Sequence, residues 1–255
     1  MKPILHIQNL NVSVANRLLI NNLGFDVKAE KVTALVGGSG SGKTTIGLSI
    51  LQLLNPALKI QSGKIILSGV NLLSLAEHQM RLVRGKDIGM VFQEPLHAFN
   101  PLFQIGFQID EVLRYHTQLD HPTRIKRMQE LLDLVGLPDP ERILRSYPHQ
   151  LSGGMRQRAM IAQAIAAGPK LLIADEPTSS LDVTLQAKIM ELFKKLQKEL
   201  GLSMLLITHD LAMAQYMADD IVVLSQGEVV EQGACGHIMN FPKDDYTKKL
   251  IEATL

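Results

Sequence analysis

The run Gly37-Gly-Ser-Gly-Ser-Gly-Lys-Thr44 has the residue types and spacing that hold a chain of phosphates. Its small residues let the backbone wrap an anion with N–H groups pointing inward. Gly37, Gly38, Ser39, Gly40, Ser41, Gly42, Lys43, Thr44 and Thr45 are therefore candidate nucleotide contacts. Lys43 would supply positive charge to the β- and γ-phosphates, and the Thr44 hydroxyl is a candidate ligand for Mg²⁺. The chemistry implied is that of a nucleoside triphosphate, with kinase, GTPase and ATPase all still open.

Four more places carry candidate groups. Leu171-Leu-Ile-Ala-Asp-Glu176 is an apolar run ending in two carboxylates. Asp175 is a candidate to hold Mg²⁺, and Glu176 a candidate to orient or deprotonate the attacking water. His209 follows the apolar run Met204–Ile207 and is placed to bond a γ-phosphate. Gln93 follows the run Ile88–Phe92 and is a candidate metal or water contact; spacing alone leaves it equally a plain polar loop residue. Leu151-Ser-Gly-Gly-Met-Arg-Gln-Arg158 reads as a second loop opening a helix, whose N-terminus favours an anion. Two phosphate-seeking loops in one chain pose the question of whether they serve one nucleotide or two.

These groups need elements to carry them. Val32–Val36 is expected as a strand feeding the phosphate loop, with a helix over Thr44–Leu54. Ile65–Leu67, Ile88–Phe92, Leu171–Ala174 and Met204–Ile207 read as strands, and alternation with helical patterns points to an α/β core with a parallel sheet. Leu185, Ile189, Leu192, Phe193, Leu196 and Leu200 fall on one helical face, with Lys194, Lys195 and Lys198 off it on a solvated face. From about Glu94 to Gln157 the pattern is mostly helical and punctuated by prolines. Ile221–Ser225, Gln226-Gly227 and Val229–Gln232 resemble a hairpin.

Composition narrows the class. The 255 residues hold 26 Lys plus Arg against 25 Asp plus Glu, so the basic excess usual in nucleic-acid binders is missing. One cysteine, Cys235, excludes an internal disulfide framework. The start has no apolar run of signal-peptide type, and no run approaches the ~20 residues that span a bilayer, so any membrane role is expected to be peripheral.

Taken in order, these pieces resemble the nucleotide-binding subunit of an ABC transporter over nearly the whole chain. The residues that carry the resemblance are Gly37–Thr44, Gln93, Leu151–Arg158, Asp175-Glu176, Ser180-Leu-Asp182 and His209. The resemblance implies an α/β, P-loop NTPase (RecA-like) core with an N-terminal antiparallel β region and an inserted helical subdomain. It implies a catalytic core over 1–93 and 159–235, a helical subdomain over 94–158 and a short tail over 236–255. It implies an ATPase that uses ATP and Mg²⁺, with Glu176, His209, Lys43 and Gln93 catalytic and Thr44, Gln93 and Asp175 toward the metal. In that family the second loop completes a partner's site, so Ser152, Gly153 and Gly154 would touch the γ-phosphate held by another subunit in a head-to-tail pair, Asp182 would communicate across the interface, and Gln157 and Asp182 count among the candidate nucleotide-binding residues. Two permease subunits and, indirectly, an external solute-binding protein would complete the assembly at the cytoplasmic face of the inner membrane, with no nucleic acid as partner.

A narrower likeness runs through Phe92-Gln-Glu-Pro-Leu-His-Ala-Phe-Asn-Pro101, Ile105-Gly-Phe-Gln-Ile-Asp-Glu111, Tyr147-Pro-His-Gln150 and Tyr246-Thr-Lys-Lys-Leu250. These resemble the oligopeptide, dipeptide and nickel importer branch, in which two different ATPase subunits commonly pair. There are three departures. Val14 stands where many members stack an aromatic on adenine, Gln150 replaces an acidic residue, and no cysteine-bearing extension follows Tyr246, which argues against an iron–sulfur site. The short tail and missing aromatic lean toward nickel or metal-chelate cargo. A soluble ABC ATPase of DNA repair or chromosome maintenance is the alternative, but no sustained heptad run or cysteine cluster supports it. A translation ATPase would normally hold two cassettes, and a degenerate ATP-binding cassette would not need both Glu176 and His209.

Overall fold

The computed structural model describes residues 2–15, 17–179 and 181–253. In chain order the elements begin with β1 (Pro3–Val14), β2 (Arg17–Lys28), β3 (Val32–Val36), α1 (Lys43–Ile50), β4 (Leu58–Leu67) and β5 (Val70–Asn71). They continue with α2 (Glu77–Val83), β6 (Ile88–Val91), α3 (Pro95–Ala98), α4 (Ile105–His116), α5 (His121–Leu134), α6 (Pro140–Arg145) and α7 (Gly153–Ile165). The remainder is β7 (Leu171–Asp175), α8 (Val183–Leu200), β8 (Ser203–Thr208), α9 (Leu211–Met217), β9 (Asp220–Ser225), β10 (Glu228–Ala234), α10 (Cys235–Asn240) and α11 (Asp245–Glu252). The chain forms two compact units, one of Met1–Met80 with Gly201–Leu255 and one of Arg81–Leu200.

The first unit holds an antiparallel sheet in the order β2-β1-β4-β5. Leu5, Ile7, Leu10 and Val12 of β1 are buried with Ile20, Leu23, Phe25 and Val27 of β2. The spacing slips because β1 changes register between Ile7 and Leu10 and again before Val12, with Asn9 at φ +47°. That slip hides the period-2 signal, and only Ile65–Leu67 of this sheet stood out in the sequence. β4 in fact starts at Leu58.

In the same unit β3 runs parallel to β8 and to β9, and β10 returns antiparallel beside β9. Every residue of β3 and β8 is buried, which is why these strands read as unbroken apolar runs. The helix after β3 ends at Ile50 rather than Leu54 because Gln52 takes φ +52° and breaks the α-helical path. Residues beyond 235, expected as a tail, form α10 and α11. Ile238 and Ile251 join Ala34, Val36, Leu211, Ile221 and Val223 in one buried cluster, with Tyr246 packed against it.

In the second unit β6 and β7 are parallel, with Ile88 opposite Leu171 and Val91 opposite Ala174. A Cβ at Gly89 would lie 2.2 Å from the Ala164 carbonyl oxygen, so glycine is what lets α7 lie this close to the strand. The helical region is tied by polar groups as well as packing. Arg124 Nε donates to Asp110 at 2.6 Å, and the buried Gln108 amide serves Asn100 and Phe103 at 2.8–3.1 Å. On α8 the buried stripe is Ile189, Met190, Leu192, Phe193 and Leu196, while Lys194, Lys195 and Lys198 are exposed as expected; Leu200 turns outward.

Candidate nucleotide-binding site

The phosphate loop leaves the end of β3 and enters α1. Three of its glycines answer to different constraints. A Cβ on Gly37 would sit 2.2 Å from the Leu224 carbonyl oxygen, and one on Gly42 would sit 2.4 Å from Ile20 Cδ1. Gly40 and Gly42 also have φ of +76° and +104°, values that L side chains rarely adopt. Lys43 Nζ donates to the carbonyls of Gly37 and Gly38, each at 2.9 Å, so the cation is held by the loop it belongs to. The turn after β9 supports the other side of the loop. Gly227 N donates to the Ser41 carbonyl at 3.1 Å. Ser41 Oγ is buried and has no hydrogen-bond partner among the described residues, a polar atom left over inside a positively charged, glycine-lined loop. That is the donor set a phosphate needs.

His209 lies just beyond β8 and is exposed. The turn that carries it is fixed by neighbours: Asp210 N donates to Thr208 Oγ1 at 3.0 Å, and Asp210 caps α9 through Met213 N at 3.0 Å.

In the second unit the parallel pairing of β6 and β7 brings two candidates together. Gln93 lies two residues past β6 and Glu176 one past β7, and Gln93 Nε2 donates to Glu176 Oε2 at 3.2 Å. Asp175 is 3% exposed at the strand end. Glu176 takes φ +43°, a strained conformation for a non-glycine residue and of the kind that accumulates where side-chain aim matters. Its carbonyl is fixed by Ser179, which donates from both N and Oγ at 3.2 and 3.1 Å.

The second glycine loop has a different character. Ser152 is the N-cap of α7, its hydroxyl accepting from Met155 N at 3.3 Å, and Ser152 and Gly153 are both exposed. A Cβ on Gly154 would lie 2.7 Å from Leu185 Cδ2, whereas one on Gly153 would meet nothing within 4 Å. Packing explains the first glycine but not the second. Around them opens a cleft of about 600 Å³, lined by Ser152, Gly153, Asp182 and the cations Arg142, Arg158 and Lys188. Asp182 caps α8 by accepting from Leu185 N at 2.9 Å. Ser180 lies outside the described residues.

Gln157, expected among the ligand contacts, turns inward instead. It is fully buried and its Nε2 donates to the Pro177 carbonyl at 2.7 Å, tying α7 to the segment that follows Glu176. Gln150, in place of an acidic residue, makes a local cap: its Oε1 accepts from Tyr147 N at 2.8 Å. Sequence reasoning gave no role to Tyr246, whose hydroxyl accepts from Gly38 N at 2.8 Å. The two residues are 208 positions apart, and no local pattern links them.

The model of the ABC transporter family matches residues 20–179. The chain belongs to the ABC transporter family. Among its relatives, the peptidoglycan transport ATP-binding protein YejF of Agrobacterium fabrum is 46% identical over 99% of this chain, which spans 47% of that protein's length. The oligopeptide transport ATP-binding protein OppD of Bacillus subtilis is 45% identical over 91% of this chain and 65% of its own length. The dipeptide transport ATP-binding protein DppD of the same organism is 41% identical over 98% and 76%. Among solved structures, the ATP-binding cassette MJ0796, dimeric and bound to ADP and Pi, has a TM-score of 0.79 at 29% identity, covering 91% of this chain and 98% of that one. CbiO1 of Clostridium perfringens has a TM-score of 0.80 at 27% identity, covering 94% and 92%.

The fold is thus that of an ABC cassette: an α/β P-loop NTPase core with an antiparallel β region and a helical part. The cassette is an ATPase with ATP and Mg²⁺ as its ligands. Among the described residues no helix is long and apolar enough to cross a membrane.

Proposed function

We propose that this chain is the ATP-hydrolysing subunit of a peptide importer and that it works as half of a head-to-tail pair, peripheral to the membrane on its cytoplasmic side. The names of OppD and DppD support peptides as cargo, while the sequence's lean toward nickel or metal chelates has no counterpart in the three relatives named above. A related but different ATPase is the partner we favour, beneath two permeases fed by a solute-binding protein outside the membrane.

The observation that carries the mechanism is the bond from Gln93 Nε2 to Glu176 Oε2 at 3.2 Å. Gln93 leads from β6 into α3 and α4, a stretch that exposes Leu96, Leu102, Phe103 and Phe107. Leu102 is 78% exposed, and the Phe103 and Phe107 rings stack at 4.8 Å. An apolar surface of this kind suits a permease segment. Movement there would pull on Gln93 and alter the aim of the Glu176 carboxylate. We assign residues 94–158 to this docking segment.

In the chemical step Glu176 accepts the proton of the attacking water. Lys43, with the backbone N–H groups of residues 39, 40 and 42–45, holds the β- and γ-phosphates, and His209 bonds the γ-phosphate. Thr44, Asp175 and Gln93 would hold the Mg²⁺, which when bound neutralises charge on the transferring phosphoryl group. Ser152 and Gly153 serve the nucleotide of the partner. Gly153 supports this assignment, because nothing among the described residues comes near enough to require a glycine there.

Glu176→Gln in the assembled transporter tests the reading. Turnover is expected to fall by about 10²–10⁴-fold while MgATP binding persists. Unchanged turnover would remove Glu176 from the proton-transfer role.

A further inference from the structure

Gly38 is held on both sides of its Cα, in two consecutive peptide planes. Its carbonyl accepts from Lys43 Nζ at 2.9 Å and from Ser41 N at 3.3 Å, while its N–H donates to Tyr246 Oη at 2.8 Å. The Gly37 carbonyl that shares a plane with this N–H also accepts from Lys43 Nζ at 2.9 Å. A Cβ on Gly38 would lie 3.2 Å from that same hydroxyl oxygen, so glycine gives the phenol room to reach the backbone. Tyr246 sits in the first turn of α11 and packs against the cluster of Ala34, Val36, Leu211 and Ile251.

The start of α11 is fixed in turn. Asp244 caps the helix by accepting from Tyr246 N at 2.8 Å. Glu231 of β10 accepts from Lys243 N at 2.9 Å and Asp244 N at 3.1 Å. A continuous set of hydrogen bonds therefore runs from β10 through α11 to the phosphate loop, all inside the first unit.

We propose that Tyr246 is a positioning residue for the phosphate loop, its hydroxyl fixing the Gly38 peptide and through it the resting place of Lys43 Nζ. The proposal rests on ATP binding by the loop. Docking of α11 then sets nucleotide affinity without any contact between Tyr246 and the reacting atoms. A hydroxyl that merely fills space differs from this in one respect: the ring alone would suffice.

Tyr246→Phe in the full chain keeps the ring and removes the bond. MgATP affinity, read with a fluorescent ATP analogue, is expected to weaken about three- to tenfold. KM for ATP should rise to match, with kcat at saturation unchanged. Gly38→Ala crowds the hydroxyl and should also weaken binding, but the pair Gly38→Ala with Tyr246→Phe should be less than additive, since the crowded oxygen is gone. Wild-type affinity in Tyr246→Phe, or full additivity of the two changes, would overturn the proposal. A wild-type chain that bound no MgATP would instead remove the nucleotide reading beneath it.

Discussion

Two glycine loops in this chain open helices, and they are built in opposite ways. The loop at 37–44 is enclosed by its own chain. Leu224 and Ile20 leave no space for a Cβ at Gly37 or Gly42, Gly227 supports Ser41, and Tyr246 takes the Gly38 N–H. The loop at 151–154 is closed on one side only. Gly154 meets Leu185, but a Cβ on Gly153 would meet nothing among the described residues, beside a cleft with three cations on its wall. One loop is completed by folding. The other has a shape that folding does not use, and this is the physical reason to assign it to something outside the chain.

A matched pair of substitutions would sharpen the contrast most. Gly153→Ala costs nothing inside the fold, so the melting temperature should hold while turnover of the assembled transporter falls by about 100-fold, as for loss of a group that stabilises transferring charge. Gly37→Ala should do the reverse in the isolated chain. Its Cβ would overlap the Leu224 carbonyl, a strain of about 1–3 kcal/mol that should lower the melting temperature by about 2–12 °C. Equal loss of stability in the two variants would erase the difference between the loops.

Much of this was legible beforehand. β3, β7 and β8 are buried on both faces, so each reads as an apolar run, and the candidate groups stand at its end: Gly37, Asp175 with Glu176, and His209. β1 and β2 were less legible because register shifts break their alternation. The inward turn of Gln157 had a signal in the spacing, since Gln157 and Ile161 are four apart and share a buried helix face. The Tyr246–Gly38 bond had none, because tertiary folding alone brings the end of the chain to its first loop.

A smaller effect concerns acid. Burial works against the charge on Glu231, but the N–H groups of Lys243 and Asp244, together with Thr247 and the Lys243 charge, outweigh it and hold the carboxyl below its ordinary value. A carboxyl depressed in the folded state contributes stability above its ordinary range and loses it as pH falls through the folded value. Wild type should therefore melt above Glu231→Gln at neutral pH, with the gap closing on acidification. A gap that did not vary with pH would detach Glu231 from the docking of α11, and so from the support of the first loop.

The decisive measurement silences this chain's own site and asks about the neighbour's. With Lys43→Ala in this chain, the remaining single-turnover hydrolysis in the assembled pair comes from the nucleotide held by the partner. Adding Ser152→Ala to that same chain should abolish most of the remainder, because the proposed shared site gives Ser152 to the partner's nucleotide. Residual hydrolysis that is indifferent to Ser152→Ala would place the second loop with this chain's own nucleotide and contradict the shared site.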